Sequence, residues 1–161
     1  MDDSFPQLHA ADLLGKLLMY GGQRRSSRTY PARPIRCRDD VSSSERHLSV
    51  EEQAVILALL AQDFPGAGEL RAQVPSAVVS GRCGCGCATV DLRAGTGPRA
   101  LTSPVQDGVL ISADVRGRSD GVLLFVEEGH LSCLEVYSIE DEPATLPRPE
   151  DLIVDAPGSW E

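Results

Sequence analysis

A chain of 161 residues with 24 Asp and Glu against 15 Lys and Arg, a formal net charge of -9 and an apolar share of 42% is sized for one domain able to bury its own core without disulfides or metal. No run approaches the ~18–20 apolar residues of a membrane span, and the opening Met1-Asp2-Asp3-Ser4 is acidic where a secretory leader is basic. The expected location is therefore the cytoplasm, with no membrane partner. The acidic balance also argues against specific nucleic-acid binding, whose affinity comes from clustered Lys and Arg.

The charge is unevenly spread. Residues 1–48 hold 6 acids and 8 bases, a net of +2, whereas residues 49–161 hold 18 acids and 7 bases, a net of -11. Leu8, Leu13, Leu14, Leu17 and Leu18 recur at near-helical spacing and predict a short amphipathic helix over 7–19. A helix this short frays unless it docks, on the body or on a partner. Six arginines between Arg24 and Arg38, interleaved with Gly, Ser and Pro, make 21–47 a flexible linker. The expected organisation is a short helix with an Arg/Pro/Ser-rich linker over 1–47, an α+β domain over 48–155 and a tail over 156–161.

Ser49-Val50-Glu51-Glu52 carries the capping-box pattern, so a helix is predicted to start there and to end near Asp63, before Pro65. Its core stripe reads Val50, Ala54, Leu57 and Ala61, widened by Ile56, Leu59 and Leu60. Glu69–Val74 suits one or two further helical turns, stopped by Pro75. Beyond Pro75 the apolar period falls from 3.6 to 2 and β-branched residues dominate. Strands are predicted over Ala77–Ser80, Ala88–Leu92, Gly108–Val115, Gly121–Glu127 and His130–Tyr137, the last two joined by a tight turn at Glu128-Gly129. Leu146–Val154 reads as an extended finishing segment. The fold class that follows is α+β: two helices, then a mostly antiparallel sheet of four to five strands. Val122–Val126 is apolar on both faces, which predicts a central strand covered by the helices on one side and by the N-terminal helix, a subunit or a partner on the other.

One cluster stands above this background: Cys83-Gly84-Cys85-Gly86-Cys87. Cys37 and Cys133 bring the count to five, an odd number that disfavours a disulfide framework. On a flat strand the three thiols would stand about 6–7 Å apart on one face. Thiolates sharing one zinc need sulfurs only ~3.7–4 Å apart. Gly84 and Gly86 permit a bulge or loop that converges them. A zinc site would then use Cys83, Cys85 and Cys87, with Cys133 as the fourth ligand in the favoured set and His130 or Cys37 as the other candidates. Alternatively the cysteines pack as small apolar side chains. His9 and His47 fall in the tail and linker, so a Cys–His nucleophile pair would have to bring His130 to Cys133 or Cys85. The glycines of Ala94–Pro98 lack the Lys-Ser/Thr of a phosphate loop, and Glu140–Pro143 lacks the spacing of a calcium loop.

Asp63-Phe64-Pro65-Gly66, Leu70-Arg71-Ala72-Gln73, Cys83–Cys87, Val122–Val126 with Gly129, and Leu134-Glu135-Val136-Tyr137 ending near Leu146-Pro147 resemble a set of small, largely actinobacterial proteins without an assigned activity. In that set a cysteine run of this kind precedes an antiparallel meander. Many members carry ordinary strand residues in its place, which implies a fold serving as a scaffold. The leading functional expectation is a small, acidic, non-enzymatic interaction module that binds a basic protein partner. Its contact patch is sought at Val122–Val126 with Glu127, Glu128, Glu140, Asp141 and Glu142, and a homodimer is compatible with it. The alternative is metal binding, structural zinc, through Cys83, Cys85 and Cys87. No other cofactor is called for.

Overall fold

The computed structural model of the chain describes residues 45–94, 101–140 and 142–155. The helix expected over 7–19, Cys37, the arginines from Arg24 to Arg38, Asp141 and the tail over 156–161 lie outside the described residues.

Helix α1 (Val50–Leu59) starts at the capping box: the Ser49 hydroxyl accepts from the Glu52 N–H at 3.1 Å, and the Glu52 carboxylate accepts from the Ser49 N–H at 2.8 Å. It stops four residues before the expected end, at a C-cap on Leu60. Its buried face also differs from the one expected. Glu52, Val55, Ile56, Leu59 and Leu60 face inward, while Val50 is 79% and Leu57 42% exposed. The helix is apolar around most of its circumference, so the leucine and valine spacing alone did not fix its rotation. What fixes it is Glu52, held inward by the cap and by Arg46. Helix α2 (Ala67–Gln73) follows Gly66 and runs into a 3-10 turn, Val74–Ser76, at Pro75.

Among the described residues seven strands form one antiparallel sheet: β1 (Arg46–His47), β2 (Val78–Arg82), β3 (Val90–Arg93), β4 (Gly108–Val115), β5 (Asp120–Glu127), β6 (His130–Ser138) and β7 (Leu152–Val154). Their spatial order is β1-β2-β3-β6-β5-β4-β7. The five expected strands correspond to β2 through β6. The two additional ones are edges of two and three residues, too short to carry a period-2 signal. One of them, β1, draws Arg46 and His47 out of the expected linker and into the sheet, where they pair with Val79 and Val78. The β5–β6 turn takes left-handed dihedrals at both central residues, Glu128 (φ 51) and Gly129 (φ 75), the pattern of a type I′ hairpin.

The sheet has two unlike faces. Val79, Val90, Leu92, Ile111, Ala113, Val122, Leu124, Val126, Leu131, Leu134 and Val136 pack with α1 and α2 into the main core. A second, smaller cluster on the opposite face contains Leu123, Phe125 and Cys133, with Tyr137 packed against them. Val122–Val126 are all buried, as expected of a central strand. Their side chains therefore offer no contact surface to a partner. Among the described residues no helix is long and apolar enough to cross a membrane.

Candidate metal centre in the loop between strands β2 and β3

The cysteine run is the connection between β2 and β3, and it is not a strand. Strand β2 ends at Arg82, paired with Val90, and the Cys83 N–H donates to the Thr89 carbonyl at 3.2 Å to close the base of the loop. Inside it, the Gly86 N–H approaches the Cys83 carbonyl at 3.5 Å, and Gly86 takes a left-handed φ of 87. A side chain in that conformation is strained, so glycine is what lets the chain fold back within five residues. The far side of the loop is anchored by Ala88, whose N–H donates to the Ala144 carbonyl at 2.9 Å. The Thr89 hydroxyl donates to the Val136 carbonyl at 3.2 Å and accepts from the Val136 N–H at 3.0 Å. That side chain continues the β3–β6 ladder by one position where the backbone has turned away.

The fold-back does what the sequence required for chelation. The sulfurs of Cys83, Cys85 and Cys87 all lie within 4.8 Å of one another, and those of Cys83 and Cys85 are 2.8 Å apart. Three thiolates bound to one zinc ion sit ~3.7–4 Å apart. Cys85, the exposed member of the set, has the room to rotate away from Cys83 toward that spacing. Cys83 and Cys87 are half-buried.

The other expected site residues stand elsewhere. Cys133 is not one of the group: it is 3% exposed, opposite Asp91 and Phe125 on β6, and belongs to the small cluster on the far sheet face. His130 begins β6 beside the hairpin turn, whereas the cysteine loop adjoins Val136, six residues along the same strand. Six residues of strand span about 20 Å. His130 is thus in reach of neither Cys85 nor the loop. The acidic residues sought as one patch are divided in the same way. Glu127 and Glu128 are exposed at the hairpin end, Glu140 and Glu142 beyond the opposite end of the nine-residue β6, roughly 30 Å away.

Beside the loop is a cavity of about 340 Å³, into which Cys87, Arg82, Glu52 and Thr89 face together with Val90 and Leu146. Sequence reasoning placed Glu52 in the capping box but missed its second role. Both terminal guanidinium nitrogens of Arg46, Nη1 and Nη2, donate to its carboxylate, at 2.7 and 2.6 Å. The hydrogen bonds from Arg46, together with the Ser49 N–H and the nearby charge of Arg82, hold the Glu52 carboxyl below its ordinary range against the opposing effect of burial. The same pairing raises Arg46 further. The signal was hidden because Arg46 sits on a two-residue strand.

No family model, no curated protein and no solved structure matches the chain.

Proposed function

We propose that the chain binds a thiophilic metal ion, zinc in the first instance, through the thiolates of Cys83, Cys85 and Cys87. The observation that supports this reading above all is the convergence of three sulfurs within 4.8 Å in a loop closed at its base by backbone hydrogen bonds. All three ligands come from five consecutive residues, so the ion links no two elements of the fold. It orders the loop rather than the domain, and leaves a fourth position for water or an incoming ligand. Binding releases protons, because thiols must ionise to coordinate.

Cobalt(II) and zinc titrations test the reading. The reduced wild-type chain should take up one equivalent, with a thiolate-to-cobalt charge-transfer band that zinc abolishes. The variant Cys83→Ser/Cys85→Ser/Cys87→Ser should lose both, and Cys133→Ser should keep both. Absence of the band in the wild type, or its survival in the triple variant, overturns the reading.

A second reading, an acidic module for a basic protein partner, draws on the net charge of -11 over residues 49–161 and on exposed Glu127 and Glu128 at the hairpin end. Association driven that way weakens steeply as salt is raised. Binding to a basic partner that is indifferent to ionic strength would count against it.

A further inference from the structure

The turn that opens the cysteine loop holds two of its thiols in the arrangement from which a disulfide closes. The Gly86 N–H approaches the Cys83 carbonyl, so Gly84 and Cys85 are the central residues of a tight turn. In an extended chain the Cα atoms of Cys83 and Cys85 would stand about 6.6 Å apart, near the top of the range that a disulfide spans. The turn shortens that separation and brings the two sulfurs to 2.8 Å. A sulfur–sulfur bond needs them to close by only about 0.8 Å more. Shared coordination of one zinc ion needs them to open by about 1 Å. The pair therefore has two productive states, one on each side of the spacing it holds.

We propose that Cys83 and Cys85 form a thiol–disulfide exchange site for small disulfides of the glutathione type. Access sets the order of the steps. Cys85 is exposed and Cys83 half-buried, so the Cys85 thiolate attacks first. It bonds to one sulfur of the incoming disulfide and expels the other half as a thiolate. The Cys83 thiolate then attacks the Cys85 sulfur, forms the Cys83–Cys85 bond and expels the second half. Two cysteine thiols are oxidised, one disulfide is reduced to two thiols, and the cysteine protons pass to those products.

The fold, not the spacing in sequence, selects Cys83 as the partner. Cys83 is fixed at the foot of the loop, where its N–H donates to the Thr89 carbonyl. Cys87 has the same Cys-Gly-Cys relation to Cys85 but lies past the turn, beyond Gly86 and its left-handed φ. Cys133, buried on the far sheet face, is out of reach of a dissolved disulfide. Once bonded, Cys83 and Cys85 offer no thiolate to a metal, and of the three ligands Cys87 alone remains. That exclusion, unlike the exchange itself, rests on the metal-binding proposal.

The experiment uses the full chain, reduced and treated with chelator, then equilibrated with oxidised and reduced glutathione, quenched by alkylation and digested with trypsin. Peptide 83–93 carries Cys83, Cys85 and Cys87. Expected is loss of two hydrogens from that peptide, with the alkyl group on Cys87. Cys87→Ser should cyclise as the wild type does. Cys83→Ser keeps one Cys-Gly-Cys pair and should hold the glutathione adduct in about tenfold excess over the ring. A wild-type peptide that bears only glutathione adducts or is bonded between Cys85 and Cys87, or a Cys83→Ser variant that cyclises as readily as Cys87→Ser, overturns the proposal. Repeating the reaction with one equivalent of zinc separates it from the metal reading. Cyclisation that zinc leaves unchanged keeps the exchange site and counts against the metal; zinc uptake by a chain that never cyclises does the reverse.

Discussion

The side chain of Gln73, the last residue of α2, takes the place of a missing strand beside Leu131. Its Oε1 accepts from the Leu131 N–H at 3.0 Å, while its Nε2 donates to the carbonyls of Gly129 at 2.9 Å and of Leu101 at 2.8 Å. The Ser103 N–H donates to the same Gly129 carbonyl at 3.0 Å. Gln73 is 2% exposed, so water cannot replace these bonds. One amide thereby fastens the second helix, the loop before β4 and the β5–β6 hairpin to each other.

Gln73→Leu removes all three bonds and leaves a buried N–H unpaired, with carbonyls deprived of a donor. The expected loss is about 2–4 kcal/mol, read from denaturant unfolding. Gln53→Leu deletes a single partly buried bond to the Leu48 carbonyl and should cost under about 1 kcal/mol.

Gly129→Ala should destabilise by about 1–3 kcal/mol. Its φ of 75 is left-handed, and an added Cβ would press on the backbone of Ser103. Chevron analysis gives the check: if the hairpin and the Ser103 contact form late, the variant unfolds faster and folds at nearly the wild-type rate.

Gly86→Ala isolates the backbone contribution to the metal centre. Nothing lies within 4 Å of the added Cβ, so only the left-handed φ resists it. A strain of about 1–2 kcal/mol in the bound conformation corresponds to zinc affinity lowered roughly five- to thirtyfold. The melting temperature should barely move, because the loop carries little of the core. Competition with a chromophoric chelator measures the affinity.

The Arg46–Glu52 pair gives the fold an acid-sensitive contribution. The folded-state pKa of Glu52 lies below its ordinary 4.5. Its contribution is thus fully present above pH 4.5 and is lost as the pH falls through the lower folded value. Glu52→Gln should flatten the acid limb of a stability–pH profile below pH 4.5. Arg46→Ala leaves a carboxylate whose side chain is only 10% exposed without its main partner. It should cost about 1–3 kcal/mol at neutral pH.

Glu135 behaves oppositely. Burial raises its pKa above 4.5, so the folded state favours the protonated form. The cost is absent below pH 4.5, appears as the pH rises through the folded value and persists above it. Glu135→Gln should therefore stabilise the protein at pH 7 and be neutral near pH 3. Because the partly exposed carboxylate keeps some of its hydration, the gain is about 0.5 kcal/mol, read from paired unfolding curves.

Much of the fold was legible because local chemistry and tertiary packing agree. The capping box at Ser49, the turn at Glu128-Gly129 and the alternation from Gly108 to Tyr137 each have a short-range cause, and each marks an element that formed. The rotation of α1 was not legible, because it depends on Glu52 turning inward to meet Arg46. Apolar spacing assigns a glutamate to the surface unless its partner is known. The cysteine loop was half legible: alternate glycines announced a departure from strand geometry, and three sulfurs did converge. That Cys133 joins Phe125 instead of the loop depends on which face of β6 it occupies, and the bulge between Phe125 and Val126 resets that face. The single acidic patch failed for a related reason: residues 13 apart in sequence lie at opposite ends of a nine-residue strand.

Among the described residues the two outermost strands of the sheet are its shortest, with two residues in β1 and three in β7. A long, flat border would present a row of unsatisfied amide and carbonyl groups on which another chain could add a strand, the route to fibrils and to domain exchange. Here the interior strands β4, β5 and β6, of eight to nine residues, are the ones rich in valine and leucine, and each is flanked on both sides. The segments most able to seed aggregation are thus kept from the borders. Losing β7, which covers only three residues of β4 at Ala113–Val115, would expose one of them. Variants that detach this C-terminal strand are expected to precipitate before they unfold.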